Sequence, residues 1–324
     1  MRTGVPIYAV VKGDAYGHGA SQIVRTLVGK VDGFAVSILE EGLSVLAAGG
    51  KSVLVFTPPT DEKEGWLIVK NGLTATVGSL VTAKLILDVC DKSRLTAKVH
   101  IKCNTGMNRY GVEFDSLESV CKMLKTSDRV CVEGVYSHLY AHDEKTSQEQ
   151  RIRFCEAQTV CKRYFPQARA HLSATYGALL GEKFSFDAVR LGLGLYGYLP
   201  DDVDERLMPL KKVMTLYGKC TDERIYRYGG AGYSHNAPKR GEKMYTLRCG
   251  YADGLSYRYG DCFPLERLSS PCMDACVCRG EGALVGQWLP IMTDARRMAL
   301  EEKTISYEIL CRASARAERV YGYD

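Results

Sequence analysis

Ile7-Tyr8-Ala9-Val10-Val11-Lys12 stands near the start of this 324-residue chain, and Gly13-Asp14-Ala15-Tyr16-Gly17-His18-Gly19 follows it. A helical stretch at Ala20–Val28 comes next. An apolar run, a glycine-bounded turn and a helical pattern make one βα unit. The unit then recurs. Candidate strands lie at Ile7–Lys12, Gly33–Ser37, Val53–Phe56, Thr74–Val77, Lys98–Cys103, Cys131–Ser137, Ala168–Ser173 and Ala188–Leu191. Helical stretches at Leu39–Ala48, Ser79–Cys90, Ser116–Lys125 and Ser147–Tyr164 fall between them. Strands rich in Val and Ile on both faces, alternating with helices, imply a parallel sheet covered by helices. About eight such units in roughly two hundred residues mark a (β/α)8 barrel of TIM type. An open doubly wound sheet is the weaker choice, because no Gly-rich dinucleotide loop follows the first strand.

After Leu199 the pattern changes. Pro200–Glu205 is acidic and turn-like, and short strand-like runs such as Lys211–Leu216, Tyr245–Cys249 and Ala275–Arg279 then alternate with Gly-rich turns. The expected division is a barrel over residues 1–200 and a mostly β domain over 201–324, with one helix at Thr293–Glu301.

A composition of 46% hydrophobic and 25% charged residues is that of a soluble globular enzyme. The net charge of +5 arises from 43 basic and 38 acidic residues with no basic run, which suits anionic small molecules and argues against nucleic acid. Val5–Val11 is too short to span a membrane and lacks the features of a signal peptide, so the chain reads as cytoplasmic and not membrane-bound. The 13 cysteines are scattered. Stretches such as Arg129–Val135 and Ser306–Arg312 place them in apolar runs, where a thiol is a small hydrophobe. Cys272, Cys276 and Cys278 lack a second paired set, and His138 and His142 lack a metalloprotease pattern, so no metal is expected.

Lys12 is the residue with chemical promise. A lysine at the carboxyl end of a barrel's first strand points to where barrel enzymes react substrates, and partial desolvation there lowers an amine's pKa enough for Schiff-base chemistry. A surface lysine at a strand end would have the same sequence.

Ala9–Gly19 resembles the cofactor-lysine motif of the alanine racemase family, and further matches follow in the same order. Asn104-Thr105-Gly106-Met107-Asn108-Arg109 is similar to its arginine motif, Glu133–His138 to its barrel histidine segment, and Arg190–Gly197 to the motif ending the barrel. Gly250-Tyr251-Ala252-Asp253-Gly254 and Cys272-Met273-Asp274 resemble two β-domain motifs. Ser306–Cys311 with Arg319-Val320-Tyr321 resembles the C-terminus. The resemblance implies a pyridoxal 5'-phosphate enzyme of fold type III that interconverts L- and D-alanine for cell-wall precursors. It implies a homodimer with shared active sites.

By that resemblance Lys12 carries the cofactor and acts as one acid/base, and Tyr251 from the partner subunit is the other. Two groups on opposite faces of Cα let a proton leave one side and return on the other. Arg190 faces the pyridine nitrogen; Arg109 serves the ring oxygen and, with the backbone of Met273, the substrate carboxylate. His138 and His171 hydrogen-bond around Arg190 and Tyr251. Tyr16, Thr175, Tyr307, Gly192 and Leu193 are implied for the phosphate. Lys102 sits where relatives often carry a carbamylated lysine.

Three departures stand out. Relatives usually have a few dozen residues before the lysine, so a chain starting here is expected to expose a sheet edge and an apolar strip. His171-Leu172-Ser173-Ala174-Thr175-Tyr176 has Ala-Thr where the family has Asn-Ser, and Tyr176 adds bulk. Tyr228–His235 is an unusual loop. Competing readings are a serine or other small amino-acid racemase, disfavoured by Tyr307 beside the substrate side chain, and a non-catalytic pyridoxal-phosphate barrel protein, disfavoured by Tyr251 and Met273.

Overall fold

The computed structural model describes residues 4–234, 238–255, 257, 261–262, 265–313 and 316–322. His235, within the unusual loop, lies outside the described residues.

Eight strands form one sheet: β1 (Ile7–Val10), β2 (Gly33–Val36), β3 (Val53–Val55), β4 (Thr74–Val77), β5 (Ala97–Lys102), β6 (Val130–Tyr136), β7 (Arg169–His171) and β8 (Val189–Leu191). Their order is β7-β6-β5-β4-β3-β2-β1-β8, and every ladder is parallel. The two ends meet: the Arg190 N–H donates to the Ser173 carbonyl at 2.9 Å and the Asp187 N–H to the Ala170 carbonyl at 2.9 Å. Asp187 also accepts the Ala170 N–H at 2.8 Å. The sheet therefore closes on itself, the barrel expected from the repeated units.

Strands buried on both faces explain why the apolar runs are continuous. Ala35, Val36, Leu54, Val55, Ala75 and Val77 have no accessible surface. Helices cover the outside, several started by side-chain caps: Asp61 accepts from the Glu64 N–H, Ser79 from Thr82 and Asp143 from Thr146. The helix Glu62–Lys70 was absent from the expected set; interior Gly65 weakens its helical signal, but Gly65, Ile68 and Val69 pack inward. Cys131 and Cys311, from the two apolar stretches named above, are both exposed, since each lies on the outward face of its element.

The other sheet is antiparallel: β9 (Leu216–Ile225), β10 (Lys243–Arg248), β11 (Asp261–Cys262), β12 (Leu265–Arg267), β13 (Cys276–Arg279) and β14 (Trp288–Met292), in the order β11-β12-β13-β10-β9-β14. Residues 211–215 are irregular, and the strand begins at Leu216. Two helices follow where one was expected, Ala295–Glu302 and Ser306–Arg312. Lys303, at φ 56°, ends the first. The second is pinned by tertiary contact, since the Ser306 N–H and hydroxyl both donate to Asp201 at 3.1 Å. The compact units do not divide at one point: Tyr16–Gly19 and Tyr196–Asp201 belong with the residues from Glu205 onward, and the rest of the barrel with Asp202–Asp204.

Candidate active site

Lys12 stands two residues past the end of β1, at the barrel's carboxyl end. The backbone beyond it takes a left-handed turn, with φ of 60° at Gly13, 51° at Asp14, 56° at Ala15, 53° at Tyr16 and 80° at Gly17. Left-handed geometry costs an L-residue roughly 1–2 kcal/mol, so Asp14, Ala15 and Tyr16 together cost about 3–6 kcal/mol. Specific bonds offset this. The Gly13 N–H donates to Glu41 at 2.7 Å, whose other carboxylate oxygen accepts the Ser37 N–H at 2.7 Å. Ala15 donates to the Val11 carbonyl at 2.9 Å, and Asp14 accepts the Ala20 N–H at 2.7 Å. Strain held this firmly beside a reactive side chain is typical of functional sites.

Arg190, from β8, is 2% exposed. One terminal nitrogen donates to His171 Nδ1 at 2.8 Å and the His171 carbonyl at 2.9 Å. The other donates to the Ser137 carbonyl at 2.6 Å, the Leu172 carbonyl at 2.8 Å and His138 Nδ1 at 3.2 Å. The guanidinium also lies 5.3 Å from the centre of the Tyr136 ring. Burial lowers its pKa to about 10, which leaves it charged at neutral pH.

Because arginine only donates, it fixes the histidine tautomers. His171 must accept at Nδ1, so its Nε2–H donates to His100 Nδ1, 2.9 Å away. His100 then carries its own proton on Nε2, and His138, accepting at Nδ1, presents Nε2–H. Burial, followed by the Arg190 charge, pulls His138 and His171 well below the usual imidazole range and His100 to about 3. All three are neutral at pH 7. Tyr136 stacks on His171 with ring centres 5.0 Å apart. Its hydroxyl donates to Thr76 at 2.8 Å, since the Thr76 hydroxyl donates onward to the Val55 carbonyl at 2.7 Å.

Lys102, at the end of β5, is buried with its ammonium 4.9 Å from the centre of the Tyr136 ring. Burial, then Arg190 and Arg109, lowers its pKa to about 7. Arg109 is exposed, on a loop shaped by Asn104, which accepts the Gly106 and Asn108 N–H groups at 3.1 Å each and donates to Asn108 and Glu113. Lys12, Lys102, Arg109 and Arg190 all act electrostatically on His138. Among the described residues no carboxylate pairs with Lys102, Arg109 or Arg190. A site this cationic is built for an anionic occupant.

Thr175 is buried and accepts the Gly194 N–H at 3.1 Å. Gly192 and Leu193 come directly before it, where β8 passes into a single 3-10 turn at Leu193–Tyr196. Tyr176 turns its ring toward His142, 4.7 Å between centres. Tyr16 is buried against Tyr196 and Tyr307, with ring centres 5.0 and 5.9 Å away. Tyr251 and Met273 are 43% and 54% exposed, on adjoining segments: the Tyr251 N–H donates to the Cys272 carbonyl at 3.1 Å and Ala252 to that of Met273 at 3.0 Å.

The barrel thus gathers Arg190, His138 and His171 into one network. Sequence reasoning passed over His100, Tyr136, Glu41 and Asn104. The pairing of His100 with Gly134 holds a usable signal: a Cβ on Gly134 would lie 2.7 Å from the His100 ring, so the glycine marks where the imidazole must fit.

Residues 1–200 match the family model for the alanine racemase N-terminal domain, and residues 213–321 match that for the C-terminal domain. The chain belongs to the alanine racemase family. Among curated relatives, "Alanine racemase 1" of Caldanaerobacter subterraneus subsp. tengcongensis is 33% identical over 99% of this chain and 89% of its own. The alanine racemase of Clostridium tetani is 32% identical over 98% and 89%. Among solved structures, the alanine racemase of Clostridium difficile 630 has a TM-score of 0.88 at 26% identity, covering 95% of this chain and 86% of its own. That of Bacillus anthracis with bound L-Ala-P has a TM-score of 0.86 at 26% identity, covering 97% and 87%. The chain is accordingly an isomerase of the alanine racemase type, and nothing favours the serine-specific or non-catalytic readings.

Proposed function

We propose that Lys12 holds pyridoxal 5'-phosphate covalently and moves one proton at the Cα of alanine, while Tyr251 of the partner subunit moves the other on the opposite face. The observation that carries this reading is the cationic barrel mouth: a lysine on a strained turn acts together with Lys102, Arg109 and Arg190 on His138, and among the described residues no carboxylate partners those last three. That donor set fits a phosphorylated anionic cofactor and a carboxylate substrate. One solved relative, from Bartonella henselae, is described with covalently bound pyridoxal phosphate. The cofactor, when bound, withdraws electrons from Cα and acidifies its proton.

The chain's own residues do the rest. Arg190 presents a fixed positive charge that does not give up its proton at neutral pH, so toward the ring nitrogen of a bound cofactor it would act by donation alone. His171 and His100 lock the guanidinium in place through neutral, single-tautomer imidazoles. Arg109 would receive the substrate carboxylate with the Met273 backbone of the partner subunit, and Thr175, Tyr16, Tyr307, Gly192 and Leu193 would hold the phosphate of a bound cofactor. Tyr307 restricts the substrate side chain toward a methyl group. The enzyme works as a cytoplasmic homodimer with shared sites. Separately, no described helix is long and apolar enough to cross a membrane.

Mixing inactive Lys12→Ala and Tyr251→Phe chains tests this directly. Some mixed dimers would carry one intact site, and activity would return; no recovery at any ratio would contradict the shared site. L-alanine and L-serine assayed side by side would show the preference for alanine.

A further inference from the structure

Tyr251 and Met273 are exposed, so packing alone does not aim them. Two backbone bonds join their segments, from the Tyr251 and Ala252 N–H groups, and charge ties them further. Asp253 closes the tyrosine turn by accepting the Gly250 N–H at 2.8 Å. Its two oxygens also receive Arg316, Nε at 3.0 Å and one terminal nitrogen at 2.9 Å. The remaining terminal nitrogen of Arg316 donates to Asp274 at 2.8 Å. All three guanidinium nitrogens are used, two on a carboxylate two residues past Tyr251 and one on a carboxylate next to Met273. Without the arginine, Asp253 and Asp274 would face each other as like charges. Arg312 adds a bond to the Gly254 carbonyl at 3.1 Å, on the far side of the same turn.

We propose that Arg316 is a positioning residue for racemisation, holding Tyr251 and Met273 in the register in which they meet the substrate in the partner's barrel. This rests on the role assigned to Tyr251 above. The planar fork is what the geometry requires, because a lysine has a single nitrogen and cannot grip Asp253 in two places while reaching Asp274. Exposed ion pairs contribute little to stability as a rule, so the effect should show in kinetics more than in unfolding. Misplacing an acid/base by about 1 Å costs on the order of 100-fold in rate.

The test uses holoenzyme carrying Arg316→Ala, Arg316→Lys, Asp274→Asn or, in parallel, Tyr251→Phe. Arg316→Ala is expected to lower kcat roughly 10- to 100-fold with cofactor absorbance retained, and lysine should recover little of the loss. Both directions must lose the same factor in kcat/KM, because the enantiomers are equal in energy. With Tyr251 taken to serve L-alanine and Lys12 D-alanine, as the family resemblance implies, the α-deuterium isotope effect separates the two bases: it should rise with L-alanine and fall with D-alanine. Asp274→Asn, which keeps the Asp253 grip, should show a weaker version of the same asymmetry and serves if Arg316→Ala does not fold. Unchanged kinetics in the Arg316 variants beside an impaired Tyr251→Phe would overturn the proposal. So would a rate loss with symmetric isotope effects and lost cofactor, which is the mark of a merely structural residue. A silent Tyr251→Phe would instead overturn the role of the tyrosine, and this inference with it.

Discussion

Replacing Lys102 by methionine should make the cofactor-free protein more stable, by an amount that shrinks as pH rises. The ammonium is buried on Tyr136 and feels Arg190 and Arg109, no carboxylate among the described residues pairs with it, and its pKa falls from the ordinary 10.5 to about 7. At about 1.4 kcal/mol per pH unit, the folded protein bears a cost of about 5 kcal/mol whenever that lysine is protonated in both states, below pH 7. Between pH 7 and 10.5 the unfolded chain keeps the proton and the folded chain does not, so raising the pH favours folding of the wild type. Methionine has similar length, no charge and no titration. The gap between the variants should therefore narrow by about 2 kcal/mol from pH 7 to pH 9. The depressed histidines are neutral in the folded protein, and above about pH 7 mostly so in the unfolded chain as well, so they add little to the change across this range. The assay is urea unfolding of both apoproteins at several pH values in carbonate-free buffer. A gap that stays flat across that range, or a wild type more stable at pH 6, would refute the reasoning. The same neutral amine is open to carbamylation: the resulting anion would face Arg109 and Arg190, so bicarbonate should raise the wild-type unfolding midpoint and leave Lys102→Met unmoved.

Gly134→Ala should destabilise the barrel by about 1–3 kcal/mol, since its Cβ would meet the His100 ring at 2.7 Å. Combining it with His100→Ala should recover much of that loss, and a double-mutant cycle with no coupling would place the clash elsewhere. Thr175→Val, which removes the acceptor of the Gly194 N–H and a hydroxyl offered to the phosphate, should weaken cofactor binding about tenfold, at about 1.4 kcal/mol. Thr175→Ser should restore it, as measured by absorbance titration of the apoprotein.

The barrel was legible because its strands are buried on both faces: Val53-Leu54-Val55 has little choice but an interior strand, and most of the expected strand ends fall within two residues of the observed ones. Elements held by distant partners were not. The Ser306–Arg312 helix depends on Asp201, more than a hundred positions away, and Glu62–Lys70 hides behind an interior glycine. The site divides the same way. Lys12 could be singled out from its place after a strand, whereas Arg190, His138 and His171 entered through family likeness, since an arginine on a strand carries no sign of five acceptors. His100 sits in an apolar run and reads as core until His171 is seen beside it. The left-handed turn was unreadable for a different reason: Asp14, Ala15 and Tyr16 ordinarily avoid positive φ, and bonds to Glu41, to the Asp14 carboxylate and within the backbone help hold the conformation. Asn104 is a further case, for its side chain organises the Arg109 loop through bonds to residues up to nine positions on.

Borohydride reduction of the holoprotein followed by peptide mapping tests the role of Lys12 most directly. A pyridoxyl group on Lys12, absent from Lys12→Ala, is the predicted result. A reduced adduct on Lys102 or any other side chain, or none at all in protein reconstituted with the cofactor, would contradict it.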